Sequence, residues 1–186
     1  GCSQVNAFFE SSTRTSSSFD LAAKQLSMDT ASISSASSFS KGESYLDTIE
    51  TIDAYNVKII VLRTKESGIP AMAAQHTQAS IINAGDGWHE HPTQALLDGL
   101  TMLDHFKLKN LHGKIITIIG DITHSRVFGS LVRICTMLGA TVRISAPLTL
   151  IPVQVEKFGC TWYRKVEEAL AGANVVYALR VQSERG

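Results

Sequence analysis

Short runs rich in valine and isoleucine alternate along this chain with stretches whose apolar residues recur at helical spacing, and that alternation restricts the fold more than any other feature. Strands covered by helices on both faces read as continuous apolar runs, because neither face meets water, so the pattern predicts parallel sheet with helical crossovers. The expected strands are Val5 to Phe9, Thr30 to Ser34, Val57 to Leu62, Ser80 to Asn83, Lys114 to Ile119, Thr141 to Ser145 and Val175 to Leu179. Between them, Phe19/Ala22/Ala23/Leu26, Tyr45/Ile49/Ile52, Leu96/Leu97/Leu100/Leu103 and Val127/Leu131/Ile134/Leu138 each mark one face of a helix. A helix is expected to begin near Thr13, and a longer one runs from Pro92 to about Phe106, with Pro92 favourably placed in its first turn. The polar stretch Lys107 to Gly113 follows, and the domain boundary is set there, dividing the chain into 1–107 and 108–186. The fold class expected is α/β: two domains, each a mostly parallel sheet flanked by helices, with the second incomplete.

Composition removes several classes of function. Lysine and arginine total 17 against 17 aspartate and glutamate, and 44% of residues are hydrophobic, which disfavours a disordered tail, a polybasic nucleic-acid arm or a membrane-surface helix. The apolar run Val57 to Leu62 stops at Arg63, far short of the ~20 residues that cross a bilayer. Cys2, Cys135 and Cys160 are an odd number with no C-x-x-C spacing, so neither a disulfide framework nor a zinc ribbon is expected. Gly1 to Glu10 lacks the basic start and long apolar stretch of a secretory signal, and a reducing cytoplasm is the plain expectation. No nucleic acid, membrane, metal or cofactor is expected as a partner.

In an open parallel sheet, ligands gather beyond the carboxyl ends of the strands. Those positions hold Ser11-Ser12-Thr13-Arg14-Thr15, then Arg63, then His89-Glu90-His91-Pro92-Thr93-Gln94, then Asp121 to Arg126, then Arg180-Val181-Gln182. The first group opens a helix whose unpaired N–H groups and dipole favour an anion, yet it carries Arg14 among hydroxyls where Asp or Glu is usual. It reads in two ways, as a phosphate site built from backbone N–H groups, Ser12, Thr13 and Thr15 hydroxyls and a guanidinium fork, or as an N-cap followed by an exposed arginine. His91 is either a capping or buried structural histidine, or half of a carbonyl-recognising pair with Gln94, one helical turn away. His89-Glu90-His91 without a third ligand is a weak metal signal. The serine-rich stretch Ser34 to Ser40, ending in Lys41-Gly42-Glu43, is a linker or a binding loop. Arg126 and Arg180 taken singly read as surface residues. Gly120 to Arg126 follows a strand and opens a helix, but G-x-G-x-x-G, a P-loop and G-x-S-x-G are all absent.

Taken together, Phe8-Phe9-Glu10-Ser11-Ser12-Thr13-Arg14-Thr15, Lys41-Gly42-Glu43, His91-Pro92-Thr93-Gln94 and Arg180-Val181-Gln182-Ser183-Glu184-Arg185 resemble the aspartate/ornithine carbamoyltransferase family in residues, order and rough spacing. S-T-R-T and H-P-T-Q are shared across the family, while R-V-Q-x-E-R favours its aspartate-using branch. The resemblance covers essentially the whole sequence, which looks like the middle of the family's longer chain. It implies a carbamoyl-phosphate domain and an aspartate domain with an active site between them, completed by a neighbouring subunit of a homotrimer. By motif, Ser12, Thr13, Arg14 and Thr15 would hold the phosphate, and Arg63 would reach phosphate and carbonyl oxygen. His91 would donate to the carbonyl oxygen, and Gln94 would hold the carbamoyl nitrogen. Ser37 and Lys41 would enter the adjacent subunit's site, and Arg126, Arg180 and Gln182 would clamp the carboxylates of aspartate.

The reaction so implied is transfer of the carbamoyl group of carbamoyl phosphate to the amine of L-aspartate, the committed step of de novo pyrimidine biosynthesis. Transfer to ornithine or another amino acid, or a catalytically silent scaffold, is the alternative. Two arginines and a glutamine suit a dicarboxylate, whereas an ornithine-using relative needs acidic partners for an ammonium. A regulatory chain or dihydroorotase as partner is left open. The family's amino-terminal helical segment, a later loop and its terminal helices have no counterpart in the sequence, so apolar surface is expected to lie exposed and the segment by itself to be unstable or inactive.

Overall fold

The computed structural model describes residues 1–34 and 44–180, so Ser37, Lys41 and Gln182 lie outside the described residues. Two compact units divide the chain, Gly1–Gly87 and Trp88–Gly186. Each contains one four-stranded sheet, and every strand pair in both sheets is parallel. Among the described residues no helix is long and apolar enough to cross a membrane.

The first unit runs β1 (Ser3–Phe8), α1 (Thr13–Gln25), β2 (Asp29–Ser34), α2 (Tyr45–Asp53), β3 (Ile59–Thr64), α3 (Ile69–Ala73) and β4 (Ser80–Asp86), with strand order β2-β1-β3-β4. Val5, Ala7, Ile60 and Leu62 from the central strands pack with Phe9 and with Ile49 and Ile52 of α2, all essentially buried. The α2 start is a capping box: Ser44 Oγ accepts from the Asp47 backbone N–H while Asp47 accepts from the Ser44 N–H, satisfying two orphan donors at once.

The second unit runs α4 (Pro92–Phe106), β5 (Ile115–Gly120), α5 (Arg126–Met137), β6 (Thr141–Ser145), β7 (Cys160–Trp162), α6 (Val166–Leu170) and β8 (Val175–Leu179), with strand order β7-β6-β5-β8. Ile116 and Ile118 of β5 and Ile144 of β6 meet Phe128, Leu131 and Cys135 of α5 in its core. Gly120, at φ +110°, is required here: a Cβ would lie 2.2 Å from the Leu179 carbonyl oxygen, so only glycine lets β5 close against β8 at the end where Asp121 and Arg180 emerge.

The seven expected strands are present, with differences in detail. Strand β3 runs on to Thr64, so Arg63 sits inside the strand and does not follow it. Leu62 pairs with Asn83 and Thr64 with Asp86, so Ala84 and Gly85 stand opposite Arg63 alone, a bulge of the kind that re-aims a side chain. Strand β7 and the five-residue helices α3 and α6 add to the expected elements. On α4 the marked leucines Leu96, Leu97 and Leu100 are more than half exposed, and the buried line is Ala95, Gly99 and Met102. Small residues let α4 lie close to α5: a Cβ on Gly99 would meet Ile134 at 3.2 Å.

Candidate functional site

In the first unit the candidate residues gather where β1 and β3 end. Ser12 is the N-cap of α1 in extended conformation, its side chain makes no cap hydrogen bond, and no acidic residue occupies the first turn. The orphan amides of that turn are therefore left for another acceptor. Thr13 and Arg14 are exposed, and Thr15 is half-buried. From the neighbouring strand, Arg63 is 9% exposed and donates from Nη1 to Thr15 Oγ1 at 3.3 Å, while its Nη2 lies 3.6 Å from Glu10 Oε1. The Phe9 N–H donates to the Arg63 carbonyl at 2.8 Å, which locks the two strand ends together. A guanidinium, a hydroxyl and a helix amino end thus converge within the unit, an arrangement suited to a multiply charged oxyanion.

Around the neighbouring ends of β3 and β4 lie polar groups that sequence reasoning missed. Asp86, 1% exposed, accepts from the Gly68 N–H at 2.8 Å and from Asn83 Nδ2 at 2.9 Å, which fixes the end of β4 beside the bulge. Tyr45 donates to Glu66, and burial and that carboxylate raise its phenol above the ordinary range.

The second unit holds the remaining described candidates. His91 is the N-cap of α4 and is buried, and its backbone N–H donates to Ser130 Oγ at 3.0 Å while Ser130 in turn donates to Glu90. Glu90 also lies 3.5 Å from Arg133 of α5. Thr93 Oγ1 is 3.5 Å from His91 Nδ1, so the imidazole is flanked by its own helix end. One turn on, Gln94 donates from Nε2 to Asp98 Oδ1 at 3.0 Å, and Tyr177 of β8 donates to Asp98 Oδ2 at 2.9 Å. His91 and Gln94 are therefore brought together on one helix end, as their spacing implies.

Arg126 opens α5 and is only 7% exposed, which removes the reading of it as a surface residue. Ahead of it, buried Asp121 accepts from His124 Nδ1 at 2.8 Å and from the His124 backbone N–H at 3.2 Å, and the His124 ring stands edge-on to Trp88 with centroids 5.0 Å apart. Arg180 follows β8 directly and is exposed. Of the supporting residues, Asp98 and Ser130 fall outside the candidate stretches of the sequence, whereas Asp121 and His124 lie inside the Asp121 to Arg126 stretch with no role assigned there. The i, i+4 spacing of Gln94 and Asp98 was the readable signal for one of them.

Residues 1–104 match the family described as aspartate/ornithine carbamoyltransferase, carbamoyl-P binding domain. Over all 186 residues the chain is 53% identical to the aspartate carbamoyltransferase catalytic subunit of Desulfotalea psychrophila, covering 58% of that protein, and 49% identical to that of Acidiphilium cryptum, covering 59%. The chain thus spans less than two thirds of the length of the curated relatives it matches. Among solved structures, the aspartate transcarbamoylase of Trypanosoma cruzi in complex with aspartate and phosphate superposes with a TM-score of 0.88 at 33% identity, over 100% of this chain and 64% of that one. The catalytic subunit of M. jannaschii aspartate transcarbamoylase gives 0.83 at 34% identity, over 100% and 63%.

Proposed function

This chain belongs to the aspartate/ornithine carbamoyltransferase family, and from that premise we propose that it supplies substrate-binding and catalytic residues of an aspartate carbamoyltransferase catalytic chain. The full-length protein transfers the carbamoyl group of carbamoyl phosphate to the amine of L-aspartate. The observation that carries the reading is the α1 amino end, free of acidic residues in its first turn and met by the buried Arg63 guanidinium at Thr15. Ser12, Thr13, Arg14 and Thr15 hold the phosphate there, and residues 1–107 make up the carbamoyl-phosphate domain of the proposal, with 108–186 the aspartate domain.

The chemistry needs positioning more than a nucleophilic side chain. The amine nitrogen of aspartate attacks the carbamoyl carbon, and the carbonyl oxygen takes up negative charge that His91, Thr15 and Arg63 stabilise. The carbon–oxygen bond to phosphate then breaks, and the departing phosphate accepts the amine proton, so atoms and charge balance without a side-chain base. Gln94 holds the carbamoyl nitrogen, and Arg126, Arg180 and Gln182 receive the carboxylates of aspartate, for which guanidinium forks are matched in shape as well as charge. Ser37 and Lys41 act in a neighbouring subunit of a homotrimer, and the enzyme works in the cytoplasm. The T. cruzi relative bound to N-(phosphonacetyl)-L-aspartic acid, a single molecule joining the phosphonate and dicarboxylate ends, supports this choice of substrates.

The test is carbamoyl aspartate formation by the full-length protein, with ornithine as the competing acceptor. Turnover with aspartate alone is expected. Turnover with ornithine, or none from a folded trimer, would replace this reading with one of its alternatives. Mixing inactive Arg14→Ala and Lys41→Ala subunits should restore activity, and failure in demonstrably mixed trimers would return Lys41 to its own subunit.

A further inference from the structure

We propose that Asp98, supported by Tyr177, is a positioning residue that fixes the carboxamide of Gln94 with its nitrogen committed to the protein and its oxygen left as the acceptor for the carbamoyl amide. This rests on the role proposed above for Gln94 and adds what gives that role its direction. A carboxamide presents a donor and an acceptor of nearly equal shape, so a glutamine alone does not distinguish an amide ligand from one of opposite polarity. An ionised carboxylate only accepts, so the 3.0 Å contact from Gln94 to Asp98 Oδ1 determines which end of the amide faces Asp98. The oxygen is then the end that remains, and it is the end an N–H of the carbamoyl group requires.

Two observations separate this from an ordinary pair of neighbours on a helix surface. Asp98 is itself held at its other oxygen by Tyr177, 79 residues along the chain on β8, at 2.9 Å. Burial, followed by the negative charge of Asp98, raises the Tyr177 phenol, so it stays protonated and can only support the carboxylate as a donor. The Cys135 thiol, from α5, is likewise pushed up to about 12 by burial and the same carboxylate. A charge kept half-buried among a glutamine amide, a phenol and a thiol from three separate elements is costly unless its bonds are used, and the bond to Gln94 is the one that leads to the proposed site.

The test exploits acetyl phosphate, which carries a methyl group where carbamoyl phosphate has its nitrogen and so has no N–H for Gln94. In the full-length protein the preference for carbamoyl phosphate over acetyl phosphate, read as the ratio of the competitive inhibition constant of acetyl phosphate to the KM of carbamoyl phosphate, should fall about tenfold in Asp98→Ala, the worth of one hydrogen bond. Inhibition by inorganic phosphate should be unchanged. Asp98→Asn, which keeps an acceptor oxygen for Nε2, should retain most of the preference, and Tyr177→Phe should lose part of it. Equal weakening of both ligands, or an unchanged ratio, would overturn the positioning role. Where Asp98→Ala does not fold, Tyr177→Phe gives the same ratio after removal of a single hydroxyl. A wild-type protein that forms no carbamoyl aspartate sinks the functional reading before any variant is made, whereas an active wild type with a ratio insensitive to Asp98 and Tyr177 sinks this inference alone.

Discussion

The two sheets solve the same geometrical problem and finish it differently. In each unit a central strand, β1 or β5, ends in a short turn from which a helix starts without an acidic residue in its first turn. Around α1 the chain leaves hydroxyls, open amides and an exposed Arg14. Around α5 it buries the arginine itself, Arg126, behind a turn braced by the Asp121–His124 pair. In the function proposed above, the first end suits a ligand of high charge, and the second offers a buried guanidinium, which suits a carboxylate recognised by shape as much as by charge. Each turn contributes a carboxylate and uses it differently: Glu10 lies 3.6 Å from Arg63 of the next strand, whereas Asp121 ties down its own turn through His124.

The largest effect that sharpens this contrast belongs to neither arginine. His91→Ala should cut turnover by about 10²- to 10³-fold while leaving binding of both substrates partly intact, because one oxyanion donor is lost. Unchanged kcat would remove His91 from the reaction and leave it a buried N-cap held to Ser130. Next in size are the two arginines themselves. Arg14→Ala should weaken carbamoyl phosphate by roughly 1.5 to 3 kcal/mol, the worth of a charge-assisted contact, with the aspartate KM little changed at saturating carbamoyl phosphate. Arg126→Ala should do the reverse, and Arg126→Lys should recover little, since an ammonium cannot reproduce the fork. If either variant shifts both substrates equally, the division of labour between the two helix starts is wrong.

What the sequence made legible follows from which physical signals are local. Strands covered on both faces advertise themselves as β3 and β5 do, in IIVL and ITII runs, and the segments after the strands named Arg14, His91 and Arg126, while Arg63, expected after β3, lies inside it. Strand β7, only Cys-Thr-Trp, lacks that run, and α3 and α6 are too short to complete two turns of periodicity. The leucine stripe of α4 is real, but burial fell to its small residues because α5 approaches through Gly99, a choice made by the partner helix. The supports of the site stayed hidden for the same reason: Ser130 reaches His91 across 39 residues, and Tyr177 reaches Asp98 across 79. Motifs name the groups that touch a ligand, while the residues that orient those groups are assigned by tertiary contact.

The smallest effects contrast the units through pH. Asp53 in the first unit accepts from the Thr77 hydroxyl and, at 2.9 Å, from the Gln78 N–H, and these bonds hold its carboxyl below the ordinary value of 3.8. A depressed carboxylate contributes stability that is present above the unfolded value and lost as pH falls through the folded one. Asp20, held down by Lys24 and Thr30, and Asp47, held down by Ser44, act with the same sign. Cys135 in the second unit moves the other way, from 9.0 to about 12, because burial favours the neutral thiol. Its contribution is complete below 9.0 and disappears as pH climbs through about 12. Tyr45 shifts upward in the first unit too, so the alkaline contrast is one of degree. Hydrogen exchange on the full-length protein should therefore show Asp53→Asn flattening the acid dependence of α2 protection, with protection of α5 unmoved. Cys135→Ala should flatten the alkaline dependence of α5 and leave its acid side alone. Acid dependence of α2 that survives Asp53→Asn intact would mean that the capping box at Ser44 and Asp47, and not the Thr77 contact, governs that end of the fold.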